Sequence, residues 1–373
     1  MTKKKAFLFF IVHPSKYHLF KHTINVLISK GHSVDVYYTT KDVLEVLIES
    51  ENWNSLNIFP EGRNIKGITK TLSTGINLLR TIWRLYFFTR KKKYDLFITD
   101  DSLGIIGKIR NVPTFHFADD DLSVISTSSV LLNFATHILA PSFTNLGKYE
   151  RKTIKFDGYK QSAYLRPRVF QPNHEIPLSF GLKTKKYFII RLVSLSATHD
   201  SGKSGITDDI VLRLISLLEK HGDVIITSER KLSTNLEKYR ISVPPKHMLD
   251  LLSFSNLLIC DSQSMALEAG MLGVPFIRFN DFINEIGVLN KLENEYKLGF
   301  GIKSNNQEEL FKVVEGLLKR KNVYDHWANR RAKLISETID LSKFMIWLFE
   351  NYPTSIEKIK LNLDYQKEFY DEA

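Results

Sequence analysis

Short apolar runs alternate along the chain with segments whose apolar residues recur at helical spacing, the rhythm a doubly wound parallel sheet requires. Ala6–Val12 reads as a buried strand. Lys16–Lys30 reads as the helix that follows, with Leu19, Thr23, Val26 and Leu27 on one face and Gly31 as its stop. Ser33–Tyr38 is the next strand and Lys41–Glu49 the next helix. Leu96–Thr99, Val112–Phe115 and His137–Ala140 are further strands, most of them followed by polar or turn residues where ligand-binding loops sit in such sheets.

Between Gly158 and Lys186 the rhythm stops, and three prolines and two glycines stand in a stretch without a sustained period. Alternation then resumes. Tyr187–Val193, Val224–Thr227, Asn256–Cys260 and Pro275–Arg278 read as strands, Asp208–Lys220 and Ser262–Leu272 as helices. Gln307–Lys319, Val323–Ile335 and Ile339–Glu350 are helical, and a polar, amphipathic tail follows Pro353. The pattern therefore predicts a Rossmann-like domain over 1–164, a junction over 165–186, a second Rossmann-like domain over 187–335, and a C-terminal helix and tail over 336–373 that can cross back to the first domain.

Composition narrows the classes open to such a chain. With 373 residues, 43% hydrophobic and 25% charged, it is a globular protein with material for two cores, not a disordered or fibrous one. Cys260 is its single cysteine, which excludes an internal disulfide and a zinc site built from several thiolates, and suits a reducing cytoplasm. The three lysines before the apolar run near Met1 resemble a secretory signal. The run is short, ends in His13 and Pro14 and lacks a small-residue cleavage site, so a first strand is the better reading. No segment has the apolar length of a membrane span, and the expected location is cytoplasmic, soluble or peripheral at the inner face of the plasma membrane.

The net charge of +11 is unevenly placed: residues 1–164 hold 23 Lys and Arg against 14 Asp and Glu, and residues 165–373 hold 29 against 27. An acidic partner of the first half is implied, with a merely solvated basic surface as the plain alternative. Leu72–Arg90 combines Leu72, Ile76, Leu79, Trp83, Tyr86 and Phe87 with Arg80 and Arg84, and runs into Arg90-Lys91-Lys92-Lys93. Such a helix either turns its stripe to the core or lies on an anionic membrane surface. No nucleic-acid-binding module accompanies the charge.

Three constellations offer chemistry. In the first, an apolar strand ends at Cys260-Asp261 and Ser262 caps the helix that follows, whose free N–H groups and positive dipole end suit an anion. Ser264 and Glu268 share one face of that helix, and Glu268 lies roughly 9 Å along the axis from Ser262, the reach of a ribose from a diphosphate. An ordinary capped helix with a solvated Glu268 fits the same residues. The second is the loop after Tyr187–Val193, which holds Ser196, His199, Asp200 and Lys203. Ala197 with Gly202-Lys203-Ser204 also matches a relaxed phosphate loop, so a kinase is a rival, though the predicted helix starts only at Thr207. The third is the set of strand ends in the first half: His13 and His18, Asp100-Asp101, and Asp119-Asp120-Asp121, which can supply a base or hold a sugar hydroxyl.

At these residues the chain resembles domain of unknown function 354, a bacterial and archaeal family whose members look like GT-B glycosyltransferases and non-hydrolysing epimerases of the UDP-GlcNAc 2-epimerase type. The resemblance covers roughly residues 6–320. It rests on His13-Pro14 to His18-Leu19-Phe20, Gly158 to Pro172, Arg191 to Asp200, and Ser264 to Ala269 with Leu272-Gly273-Val274-Pro275. It implies a GT-B-like α/β fold whose two Rossmann-like domains face each other across a cleft. The first takes the acceptor and the second a nucleotide sugar, a UDP-sugar by resemblance, with no separate cofactor. The diphosphate falls to Ser262 and Ser264, and the ribose to Glu268. The first N-terminal loop lacks the glycine-rich loop of some GT-B lineages, so the acceptor is not read from the family.

The combined expectation is a metal-independent glycosyltransferase of cell-surface polysaccharide or glycolipid assembly. Arg191, Ser196, His199, Asp200, Lys203, Ser262, Ser264 and Glu268 would bind the donor. His13 would be the base, with Asp119, Asp120 and His18 as the other catalytic candidates. The expected partners are a nucleotide sugar, a sugar or lipid-linked acceptor and an anionic membrane surface, not nucleic acid. Nucleotide-sugar epimerisation is the alternative, and a phosphate-loop kinase or a non-catalytic nucleotide-sugar binder the further ones.

Overall fold

The computed structural model describes residues 3–63, 70–122, 128–194, 205–362 and 364–370. The chain divides into two compact units, one formed by Met1–Tyr164 with Thr338–Ala373, the other by Leu165–Glu337.

The first unit is built on a seven-stranded sheet: β1 (Ala6–Ile11), β2 (Ser33–Thr39), β3 (Asn54–Phe59), β4 (Leu96–Thr99), β5 (Thr114–Phe117), β6 (His137–Pro141) and β7 (Thr153–Phe156), in the order β3-β2-β1-β4-β5-β6-β7. Every neighbouring pair is parallel. A parallel strand at the centre of such a sheet is covered on both faces, and all five residues from Phe7 to Ile11 are buried. The two-residue period then sorts them. Leu8 and Phe10 join a core with Phe97, Ile106 and Leu85. Phe9 meets Phe20 at 5.4 Å and Phe349 at 6.4 Å between ring centroids. Helix Leu341–Glu350 thus helps build the core of the first unit. The tail follows it there: Tyr365 donates to the carbonyl of Lys155 at 2.5 Å, and Gln366 accepts from the N–H of Asp157 at 2.6 Å.

The second unit has five parallel strands, β8 (Tyr187–Leu192), β9 (Asp223–Ser228), β10 (Leu257–Cys260), β11 (Phe276–Phe279) and β12 (Gly299–Ile302), in the order β12-β11-β10-β8-β9. The proline-rich stretch before β8 packs into this unit. Arg166 is buried and donates to the carbonyl of Ile335 at 3.1 Å, and Asp250 accepts from the N–H of Asn173 at 2.8 Å. Three strands, β3, β7 and β12, fall where the hydrophobic pattern predicts none. β5 begins at Thr114 instead of Val112, because Pro113 has no N–H for a ladder. Among the described residues no helix is long and apolar enough to cross a membrane.

A buried ion pair ties β11 to helix Gly287–Asn294 in this unit. Arg278 meets Glu293 through Nε at 2.9 Å and a second nitrogen at 3.1 Å, and its third nitrogen donates to Asn280 at 3.2 Å. Breaking one side of such a pair strands a charge in the interior. Glu293→Ala should therefore lower the unfolding free energy of this unit by about 3–5 kcal/mol in urea titration, and Arg278→Met with Glu293→Leu should lower it by less than the single change.

Candidate functional site

In open α/β sheets, ligands gather at the carboxyl ends of the strands where strand order reverses. In the first unit that point lies between β1 and β4, and in the second between β8 and β10.

In the first unit β1 hands over to helix Pro14–Ser29 at His13, the N-cap residue. The Nδ1 of His13 accepts from the N–H of Ser15 at 3.2 Å, which leaves the ring proton on Nε2. Burial, joined by the charges of Lys41, Lys160 and Lys16, lowers its pKa to about 3. The imidazole is thus neutral at pH 7, with its Nδ1 engaged in the cap. His18 stacks on Tyr164 at 5.5 Å, and burial lowers its pKa to about 4.

The acidic clusters part company. Asp119, just past β5, lies between Lys16 at 2.8 Å and Lys160 at 2.6 Å. Burial alone would raise its pKa, but the two ammonium groups outweigh it and hold the carboxylate ionised well below the usual range. Asp120 is half-buried beside it, and Asp121 accepts from the N–H of Asn145 at 2.6 Å. Past β4, Asp101 is satisfied by the guanidinium of Arg63 at 3.1 and 3.3 Å and by the N–H of Ser102 at 2.6 Å. Its neighbour Asp100 is not. The Oδ1 of Asp100 is sealed from solvent and meets no donor among the described residues. Burial lifts its pKa from 3.8 to about 6, with Asp101 and Asp119 adding to the rise and Lys16 opposing it. Next to Thr99 in the sheet, buried His116 also leaves its Nδ1 without a partner among the described residues. Sequence reading names Asp100 only as one of a pair and does not name His116. Which carboxylate of an Asp-Asp pair finds a partner depends on Arg63, distant in sequence.

In the second unit β10 ends at Cys260, and Ser262 caps helix Gln263–Leu272, its Oγ accepting from the N–H of Met265 at 3.3 Å. The N–H groups of Gln263 and Ser264 have no carbonyl to meet within the helix and remain available to an anion. Ser264 is exposed on the first turn, and Glu268 is half-buried one turn on. The helix stops at Gly273, whose φ of 73° suits a residue without a side chain. Arg191 lies in β8 and pairs with Glu229. Ser196, His199, Asp200 and Lys203, and with them the phosphate-loop pattern, lie outside the described residues.

The residue between β10 and Ser262 links these parts. Asp261 is fully buried, and its carboxylate accepts from the N–H of Val193 at 2.7 Å and of Ile206 at 3.4 Å, on either side of the loop after β8. Burial raises its pKa to about 6, and the hydrogen bond from Val193 and the charge of Arg230 offset part of the rise.

No family model matches the chain, and no curated protein matches it in sequence. Solved structures do match in fold. MnaA of S. aureus, solved with UDP, aligns at a TM-score of 0.64 and 13% identity over 95% of this chain and 98% of its own. UDP-GlcNAc 2-epimerase of Methanocaldococcus jannaschii, in complex with UDP-GlcNAc and UDP, gives 0.61 and 13% over 88% and 99%. The glycotransferase of kitacinnamycin gives 0.61 and 12% over 94% and 100%. The chain therefore has the GT-B fold, α/β with two Rossmann-like units. The resemblance to domain of unknown function 354 rests on the sequence motifs alone.

Asp100 should leave a mark on stability. Because its folded pKa is raised, the folded state keeps a proton that the unfolded state releases between pH 3.8 and about 6. Stability therefore falls as pH rises through that window, and the full penalty applies above it. Asp100→Asn should be close to neutral near pH 4 and stabilising, on the order of 2 kcal/mol, at pH 7, as measured by denaturant unfolding across pH.

Proposed function

We propose that this chain is a nucleotide-sugar enzyme that transfers the sugar of a donor, a UDP-sugar in the first instance, to a hydroxyl acceptor. The second unit binds the donor. Its diphosphate takes the N–H groups at the start of helix Gln263–Leu272 beside Ser262 and Ser264, and its ribose hydroxyls donate to Glu268. The GT-B fold and neighbours solved with UDP and UDP-GlcNAc support this half of the reading.

The observation that carries the catalytic half is Asp100, a carboxylate at a switch point with an unpartnered buried oxygen and a pKa of about 6. A base of that strength is ionised at pH 7 and still takes a proton from a hydroxyl as that hydroxyl becomes a nucleophile. The acceptor oxygen bonds to the anomeric carbon as its proton goes to a base. The bond from that carbon to the diphosphate breaks, and its electron pair leaves on the phosphate oxygen, where the helix start meets the charge. Asp119, held ionised by two lysines, positions rather than abstracts, as does Asp120 beside it. His13 donates from Nε2, and His18 packs. Epimerisation of the donor sugar is the second reading, favoured by the several UDP-GlcNAc 2-epimerases among the solved neighbours.

Glu268→Ala should weaken UDP binding in calorimetric titration by about 1.5–3 kcal/mol, and 2′-deoxy-UDP should lose the same amount against the parent. Unchanged binding in both would remove the donor site. Asp100→Asn should lower turnover of UDP-sugars by about 100-fold or more with UDP affinity kept, whereas His13→Asn, which can still cap, should lower it far less. Mass spectrometry of UDP-sugars incubated with and without acceptor extracts separates the chemistries: acceptor-dependent release of UDP marks transfer, and interconversion of sugars without acceptor marks epimerisation.

A further inference from the structure

Helix Lys70–Thr89 has two apolar faces and a use inside the fold for only one of them. Thr81, Leu85 and Thr89, spaced by four, are buried. On the opposite side Leu79 is 68% exposed, Trp83 64%, Tyr86 45% and Phe87 37%. Single exposed apolar residues are ordinary, but a continuous row on one helix face is not. The row is also ordered. Trp83 stacks on Phe87 with centroids 5.8 Å apart and planes 17° from parallel, and the guanidinium of Arg90 covers Phe87 at 4.3 Å.

Charge accompanies the row. Between residues 62 and 94 the sequence has nine Lys and Arg and no Asp or Glu. Some of these cations are spent within the unit: Arg63 on Asp101, Arg80 and Arg84 on Glu61, Lys92 on Asp35. Arg90, Lys91 and Lys93 remain exposed at the helix end. The neighbouring helix Leu103–Arg110 is locked to that end, with Arg110 donating to the carbonyls of Thr89 at 2.6 Å and Lys92 at 2.8 Å, and it adds exposed Ile109 and Lys108.

We infer that this face docks on an anionic lipid bilayer, with Leu79, Trp83 and Phe87 entering the headgroup boundary, Tyr86 at its level, and Arg90, Lys91 and Lys93 on acidic headgroups. Aromatic and aliphatic groups flanked by cations suit that boundary, where apolar burial and attraction to anionic lipid add. A second copy of the chain fits it less well. A two-fold contact through this row would bring Arg90, Lys91 and Lys93 against their own copies, with no acid in the segment to answer them. The proposal does not depend on the sugar-transfer reading.

The test uses the full chain with vesicles of phosphatidylcholine, alone or mixed with phosphatidylglycerol. Sedimentation should show binding to the mixed vesicles only, lost as salt rises. Of the four tryptophans, Trp53 and Trp327 are buried and Trp347 half-buried, so a blue shift on vesicle addition should vanish in Trp83→Phe while sedimentation persists. Arg90→Gln, Lys91→Gln and Lys93→Gln together should weaken partitioning roughly 100-fold, and Trp83→Ser with Phe87→Ser at least tenfold, both with unchanged melting. The proposal is overturned if the parent ignores the mixed vesicles, binds neutral ones equally, or binds as well in both variant sets. A parent dimer that Trp83→Ser with Phe87→Ser dissociates, with no lipid binding, overturns it in favour of self-association.

Discussion

The carboxylate of Asp261 is the fixed point of the second unit. Burying a charge with nothing to answer it costs several kcal/mol, so a carboxylate at zero exposure is tolerated only where donors converge. Here they come from Val193 and Ile206, so one side chain just past β10 holds both shoulders of the loop after β8. Its own carbonyl is held in turn by Asn280 at 3.0 Å, Asn280 by Arg278, and Arg278 by Glu293. Strand ends β8, β10 and β11 and helix Gly287–Asn294 are thereby linked through polar side chains. The helix start at Ser262, the next residue, inherits that rigidity. An anion site made of backbone N–H groups needs it, since the donors are only as well placed as the turn that presents them.

The first unit solves the same problem differently. Its sheet also ends in half-buried carboxylates, and cations from elsewhere in the chain neutralise Asp101, by Arg63, and Asp119, by Lys16 and Lys160. Asp100 keeps a buried oxygen without a donor among the described residues. Satisfied and unsatisfied carboxylates do different things. A paired one is ionised, weakly basic and fixed, and contributes position and field. An unpaired one is strained toward protonation and contributes basicity. Adjacent residues of one type thus acquire opposite properties from their partners.

That dependence on partners sets what the sequence could reveal. β4 is read residue for residue, and β1, β2, β8 and β10 within a residue or two, because strands buried on both faces are continuous apolar runs. The three strands that escape, β3, β7 and β12, are all sheet edges, and their sequences, NSLNIF, TIKF and GFGI, mix polar residues or glycine with apolar ones. An edge strand has one neighbour and less to bury, so its pattern can fade, while the fourth edge, β9, keeps the apolar run Val224-Ile225-Ile226 and is read. The helix at Ser262 is legible because a cap, a period and a stop are all local. His13 is legible as a strand end but not as a cap. Its Nδ1 bonds a backbone group two residues away, and its depressed basicity comes first from burial and then from lysines at 41, 160 and 16.

Helix Lys70–Thr89 shows a further limit of pattern. Its apolar residues run nearly all round, which from sequence means burial on every side or a second apolar environment. Periodicity counts apolar positions but not how many neighbours the fold has to cover them with. In this unit the sheet covers one stripe, through Leu85 and its neighbours, and Trp83, on the opposite side of the same helix, is left in water. Nothing in the local sequence marks which stripe is which. The acid-free stretch from 62 to 94 points the same way as the exposed row, since a segment meant only for the core has no reason to exclude every carboxylate from its solvated end. Exposure and charge are independent observations, and they select the same face.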